Sequence, residues 1–266
     1  MVFSSLTFLF LFFPLVMGVY YLCPRALRNL WLLLTSLLFY AWGEPRYVVL
    51  MIFSVLLNYG FGRLVEKFGK KRWLLALCVT LNLLLLGYFK YYNFLAEVLN
   101  PLLRGFDIAL PAIQVTLPIG ISFYTFQLLS YVVDVYRKEV AAQPAYWKLL
   151  LYCSLFHQCI AGPIVRYQTV ASEIDDRKVT LTDLTNGIRR FSIGLAKKAI
   201  LANGCASVAD TLLANTQSAT TAGLWLGMLF YMLQIYLDFS AYSDMAIGMG
   251  QMVGFHYLEN FNYPYS

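Results

Sequence analysis

The segment LFYMLQIYLDFSAYSDMAIGMG, residues 229–250, sets two carboxylates, an amide and several hydroxyls inside an otherwise apolar run. At about 100° per residue on a helix, Tyr231, Gln234, Asp238, Tyr242 and Met245 share one face. Tyr236, Ser240, Ser243 and Asp244 share the opposite one. A charged carboxylate near the middle of a bilayer costs about 2.5–3.5 kcal/mol on insertion scales. Asp238 and Asp244 therefore need partners or a water-filled cavity, and the helix is expected inside a bundle. Such groups either line the path of a polar substrate or hydrogen-bond neighbouring helices and fix their packing.

Two further blocks share this character. LPIGISFYTFQLLSYVVDVYR, 117–137, places Gln127, Tyr131 and Asp134 on one side of a helix whose start is bent by Pro118 and Gly120. Asp134 lies one turn before Arg137 and Lys138, which favours an interface reading for it over a site role. CSLFHQCIAGPIVRY, 153–167, puts His157 and Gln158 ahead of Ala161-Gly162-Pro163, a run that interrupts a straight helix. A break of this kind lining a cavity offers free backbone groups to a substrate. His157 and His256 each read first as hydrogen-bonded core residues, and two histidines exclude a His-rich metal site. Lys90, among Tyr88, Tyr91 and Tyr92, reads as a cation snorkelling within an aromatic belt, with contact to an anionic cofactor as the alternative.

The elements that must hold these groups are membrane helices. Of 266 residues, 60% are hydrophobic and only 13% charged, against roughly 25% charged in soluble domains, and mean hydropathy is +0.63. Apolar blocks at 3–23, 30–42, 46–62, 73–96, 112–136, 146–165, 190–213 and 222–254 are candidate helices, because within hydrocarbon each segment must satisfy its own backbone. The expected fold is all-α: a polytopic membrane helix bundle of about seven or eight embedded helices, some re-entrant, in one domain over 1–266. The 30–42 block is short for a crossing and is expected to form a hairpin with 46–62 around Gly43-Glu44-Pro45, or to re-enter. The mixed-charge stretch 166–190 is expected to be the longest extramembrane loop, with Thr182 or Asp183 capping the next helix. That helix carries Arg189, Arg190, Lys197 and Lys198 and is expected at an interface or covered by protein.

The net charge of +6 is spread between apolar blocks, which favours membrane topology over a nucleic-acid groove. Arg25 and Arg28, the cluster Arg63 to Arg72, and Arg137 with Lys138 should face the cytoplasm, leaving the N-terminus extracytoplasmic. The first block lacks a basic n-region and a cleavage site and reads as a retained span. Cys23, Cys78, Cys153, Cys159 and Cys205 show no metal or CxxC spacing and read as packing residues.

Six ordered motifs, YFKYYNF (88–94), LPIGISFYTFQLLSYVVDVYR (117–137), CIAGPIVRY (159–167), GLAKKAILAN (194–203), QIYLDFSAYSDMAIGMG (234–250) and ENFNYPY (259–265), together resemble the membrane-bound O-acyltransferase family. The likeness is strongest to its alginate O-acetyltransferase branch, with teichoic acid D-alanyl transferases as cousins. The resemblance implies a multi-pass protein of the bacterial inner membrane that moves an acyl group from an activated cytoplasmic donor, acetyl-CoA or another acetyl carrier, across the bilayer. No bound cofactor or metal is implied; membrane lipid, a polysaccharide acceptor such as alginate and an extracytoplasmic acyltransferase are the implied partners. It also implies a catalytic histidine in a Trp-His stretch beyond Ser266, so the chain reads as the N-terminal portion of such an enzyme, inactive alone. His157 stands where relatives commonly carry Pro, and Ala241 where they often carry Gly. The acyl-path candidates are Gln234, Asp238, Ser240, Tyr242, Ser243, Asp244, Gln127, Tyr131, Pro163, Arg166 and Asn260. The alternatives are D-alanyl transfer to teichoic acid, an ion-coupled transporter using Asp134, Asp238 or Asp244, and an inert membrane scaffold.

Overall fold

The structure is a computed structural model and describes residues 2–103, 111, 113–159, 165–214 and 220–261. Among these residues every regular element is helical. Contacts divide the chain into two compact units, one of Met1–Thr35, Leu155–Val165 and Thr169–Ser266, the other of Ser36–Ser154 and Arg166–Gln168.

In the first unit a π-helical turn, Phe8–Phe12, leads into α1, Phe13–Leu22. Pro14 has no N–H to give to the preceding turn, which accounts for the wider loop at this junction. Helix α2, Arg25–Gly43, begins here and passes into the second unit. Its 19 residues correct the short 30–42 reading: Arg25, Arg28 and Asn29 lengthen the helix without adding hydropathy. Two pieces of the polar stretch 166–190 are also helical, α7 (Tyr167–Asp175) and the start of α8 (Leu181–Ala196).

The N-cap of α8 is Thr180, not Thr182 or Asp183. Its hydroxyl accepts from the Asp183 N–H at 3.1 Å, and the Asp183 carboxylate accepts from the Thr180 N–H at 3.0 Å. This reciprocal pairing satisfies two backbone donors that a helix start otherwise leaves open. Helix α8 continues through a π-helical stretch, Lys197–Ala202, into α9, Asn203–Leu213, with right-handed helical dihedrals at both junctions.

Helix α10, Thr221–Met252, is 32 residues long, about 48 Å at 1.5 Å per residue and so longer than a bilayer core of about 30 Å. It packs against α8, the π stretch and α9. The helix is not buried along its whole length as its two polar faces suggest. Residues from Ser240 onward are mostly buried, whereas Trp225, Leu229, Tyr231, Met232 and Phe239 are exposed. Over that first half α9 is its principal neighbour, with Leu213 against Gly227.

The second unit sets α3 (Tyr47–Phe68) against α4 (Arg72–Leu103), α5 (Ile121–Arg137) and α6 (Tyr146–Ser154). Residues 113–118 are not helical, and α5 starts only after Gly120, whose φ of +76° a residue with a Cβ rarely adopts. Helix α6 stops at Ser154, ahead of the expected break; residues 160–164, which include Ala161-Gly162-Pro163, lie outside the described residues. Three described helices are long and apolar enough to cross a membrane, Tyr47–Phe68, Arg72–Pro101 and Thr221–Met252, and Phe8–Leu22 is a shorter apolar helix. The protein is a multi-pass membrane protein.

Replacing Thr180 by Ala should lower stability by about 1 kcal/mol through loss of the cap, and Asp183→Ala by a comparable amount. Circular dichroism during denaturant unfolding in mild detergent measures this; unchanged midpoints for both would show that the cap is idle.

Candidate functional site

Within the first unit α8 and α10 run antiparallel along a seam of small and charged residues. A Cβ on Gly187 would come within 2.7 Å of the Gly248 carbonyl oxygen, and one on Gly194 within 2.8 Å of that of Ala241. Seven residues separate each pair on its own helix, in opposite chain directions. Arg190 and Lys197 repeat the same interval between the glycines, so residues 187, 190, 194 and 197 form one stripe at alternating spacings of three and four. On α10, Ala241, Asp244 and Gly248 form the matching stripe. The glycines bring the backbones close, which is how helices associate where no hydrophobic drive separates them from lipid.

The charges fill the gaps between the close approaches. The Arg190 guanidinium donates to Asp244 Oδ1 at 3.1 Å, and Lys197 Nζ donates to Asp244 Oδ2 at 2.5 Å and to Ser240 Oγ at 3.2 Å. Lys198 Nζ donates to Asp238 Oδ2 at 2.7 Å. Arg190 also holds Glu259 through two N–H groups. Three cations thus meet three carboxylates, and both aspartates of α10 have protein counter-charges. Neighbouring lysines on a regular helix diverge by about 100°; the wider π turn lets Lys197 and Lys198 both address α10. Isolated π turns occur often at functional sites.

The remaining candidates of this unit lie on α10 and just beyond its end. Tyr242 stacks on Phe3 with ring centroids 4.4 Å apart. Ser243 is buried, and its hydroxyl has no hydrogen-bond partner among the described residues. Gln234 is half-buried and Asn260 exposed.

His157 is fully buried with Tyr257, whose hydroxyl lies 3.0 Å from Nδ1, and its ring sits against Phe156 and Phe255. It is a hydrogen-bonded core residue. His256 is not a core residue: its side chain is half-exposed, its Nδ1 lies 2.8 Å from Glu173 Oε1, and its N–H donates to Glu173 Oε2 at 3.0 Å. It follows the end of α10, where Gly254, at φ +85°, turns the chain back toward α7. Glu173, with Asp183 beyond it, raises the His256 pKa above its ordinary value.

In the second unit Gln127 donates to the Tyr152 carbonyl at 3.4 Å, and the Tyr131 hydroxyl accepts from the Gln143 N–H at 3.0 Å while pressing on Gly62. Asp134 is buried, and Arg137 lies 3.9 Å from Glu139. A helix end at Arg137, followed by Lys138 at φ +66°, directs these cations outward. Arg166 is exposed, and Pro163 lies outside the described residues.

Residues 137–264, which contain the entire α8 to α10 seam, match the family model described as the membrane-bound O-acyltransferase family. This part of the chain is similar to that family. Along its whole length the chain is 42% identical to a protein named probable alginate O-acetylase AlgI from Azotobacter vinelandii and 44% identical to one of that name from Pseudomonas putida. It is 31% identical to a peptidoglycan O-acetyltransferase from Helicobacter pylori, again over all of this chain. The chain spans about half the length of these relatives, 54%, 56% and 56% respectively. The matched segment therefore holds the seam, and Arg190, Lys197, Lys198 and Glu259 are seam residues that the sequence alone did not mark as functional candidates. Their signal was the shared seven-residue interval of Gly187 with Gly194 and Arg190 with Lys197, which only a partner helix makes meaningful.

Asp244 is only 16% exposed in its side chain and Arg190 24%. Asp244→Ala leaves Lys197 with Ser240 and Arg190 with Glu259 alone, and should cost about 3 kcal/mol, the lower end of the range for breaking a buried pair. Arg63→Ala breaks a pair exposed by 48% and 40% and should cost less than about 1 kcal/mol. Thermal unfolding of purified variants compares them, and equal losses would refute the assignment of the seam as the buried anchor.

His256 yields a pH prediction of definite sign. A raised folded pKa means that its contribution is complete below the unfolded value near 6.5 and is lost as pH rises through the folded value. The difference in stability between the protein and its His256→Ala variant should therefore shrink from pH 6 upward. A difference independent of pH would exclude the ion pair with Glu173.

Proposed function

We propose that the chain takes part in O-acetylation of an exported polysaccharide, with alginate or a related uronic-acid polymer as acceptor. The carrying observation is that the similarity to proteins named alginate O-acetylase extends over the whole chain at 42–44% identity. In this reading the protein sits in the bacterial inner membrane with its N-terminus outside. An activated acyl donor of the acetyl-CoA type supplies the group on the cytoplasmic side, and an extracytoplasmic acyltransferase completes the transfer to polymer hydroxyls.

The seam supplies positioning in this scheme. Arg190, Lys197 and Lys198 hold Asp238, Asp244 and Ser240 in fixed places, which sets the half-buried polar side of α10, with Gln234 and Tyr242, as a wall of the acyl path. Ser243, Pro163, Arg166 and Asn260 are proposed as further path residues, and Gln127 and Tyr131 as groups that fix α5 from within the second unit. The counter-charges on Asp238 and Asp244 weigh against an ion-coupled transporter, because a coupling carboxylate has to release its cation to solution.

The test uses the intact chromosomal locus. Lys197→Gln and Asp244→Asn should each lower the O-acetyl content of exported polymer at least about ten-fold, equivalent to about 1.4 kcal/mol or more, while the protein persists in the membrane. Nuclear magnetic resonance of the purified polymer counts acetyl groups and separates them from D-alanyl esters. Acetylation that survives deletion of the locus would overturn the proposal.

A further inference from the structure

Where the connection from α7 to α8 returns beside the start of α2, the first unit encloses a hollow of about 400 Å³ lined by Arg25, Arg28, Arg177, Lys178, Tyr21 and Thr180. Its size lies within the roughly 300–1,000 Å³ of small-molecule sites. Four cations and no carboxylate line it. Asp175 and Asp176 line only an adjoining crevice of about 70 Å³, which shares Arg25, Arg28 and Arg177. Among the described residues none of the four cations forms an ion pair.

The surrounding structure maintains this excess charge at a cost. Arg25 and Arg28 occupy the first turn of α2, where the helix dipole is itself positive and cations are unfavourable. The start of α8 at Thr180 brings a second helix N-terminus to the same wall. Arg177 is fixed in place: Nε donates to the Val253 carbonyl at 2.8 Å, Nη1 donates to Asn29 Oδ1 at 2.5 Å, and the guanidinium lies 4.5 Å from the Phe255 ring centroid. Its Nη2 is buried with no hydrogen-bond partner among the described residues. Four cations gathered here with no carboxylate among the lining residues repel one another, and an anion in the hollow would offset that repulsion.

The charge selects the ligand. A single carboxylate neutralises one cation, whereas a diphosphate or a phosphomonoester carries the multiple charges and oxygens that guanidinium forks and an ammonium match. We propose that this hollow binds a phosphate-bearing anion, supplied by a soluble nucleotide-like ligand or by the headgroup of an anionic phospholipid. The proposal does not depend on the acyl-transfer reading, since binding alone is measured.

The full chain, purified in detergent, is titrated calorimetrically with inorganic pyrophosphate, and separately loaded with phosphatidylglycerol, washed and assayed for retained lipid. The comparison is Arg25→Gln with Lys178→Gln, because both residues are exposed and neither ties elements together as Arg177 does. The protein should bind at least one probe, and the double variant should bind it at least ten-fold more weakly with the same helical circular dichroism. Loss confined to pyrophosphate identifies a soluble ligand, loss confined to phosphatidylglycerol identifies a headgroup, and loss of both supports the shared chemistry. If the double variant loses helicity, Lys178→Gln alone makes the comparison. No binding of either probe, or equal binding by protein and variant, overturns the proposal.

Discussion

The first unit depends on one constraint: two carboxylates on a long apolar helix must be matched by cations within reach. Asp238 and Asp244 obtain them from the α8 run, and the reach of Lys197 and Arg190 requires that α8 lie close along α10. Gly187, Gly194 and Gly248 permit that approach. Neither half of the arrangement works without the other, because a wider gap would leave the charges to be solvated by lipid, and close glycines without charges would leave the register of the two helices loosely set.

The second unit solves a similar problem with neutral groups. Asn58 and Asn82 exchange amide hydrogen bonds at 2.9 Å and 3.1 Å between α3 and α4, with Cys78 beside them. Burying amides in a mutual pair costs far less than burying ions, since each donor and acceptor finds a partner without charge to desolvate. One turn further along α3, Tyr131 fills the space above Gly62 and accepts from Gln143. Gly62 and Tyr131 fix the position of α5, and through it the position of Gln127.

Hydropathy made most helices readable, since α3, α4 and α10 differ from their expected blocks only at the ends. It failed where polarity disguised a helix. Helix α7 and the first turns of α8 carry too many charges to register as apolar, yet one buried side, Tyr167, Val170 and Ile174, suffices to fold α7. The polar face of α10 was readable as a need for partners, but the partners were not, because Lys197 and Asp244 stand 47 positions apart and pairing at that distance has no local signal. The same holds for Arg177, which reads as one more loop charge and instead bonds Tyr20, Asn29 and Val253. His157 was readable as a buried residue from its apolar neighbours, although Tyr257, its partner, lies 100 positions later.

The π-helical stretch at Lys197–Ala202 amounts to a single residue spliced into an otherwise continuous α8–α9 rod. Everything after it is rotated in phase, so that Ala209 faces inward while the preceding stripe keeps its heptad alignment. Removing any one residue from that stretch would return the rod to a uniform winding and turn the whole of α9 by about one residue's arc. A length polymorphism there would therefore be felt at a distance, as a misaimed helix with an unchanged composition.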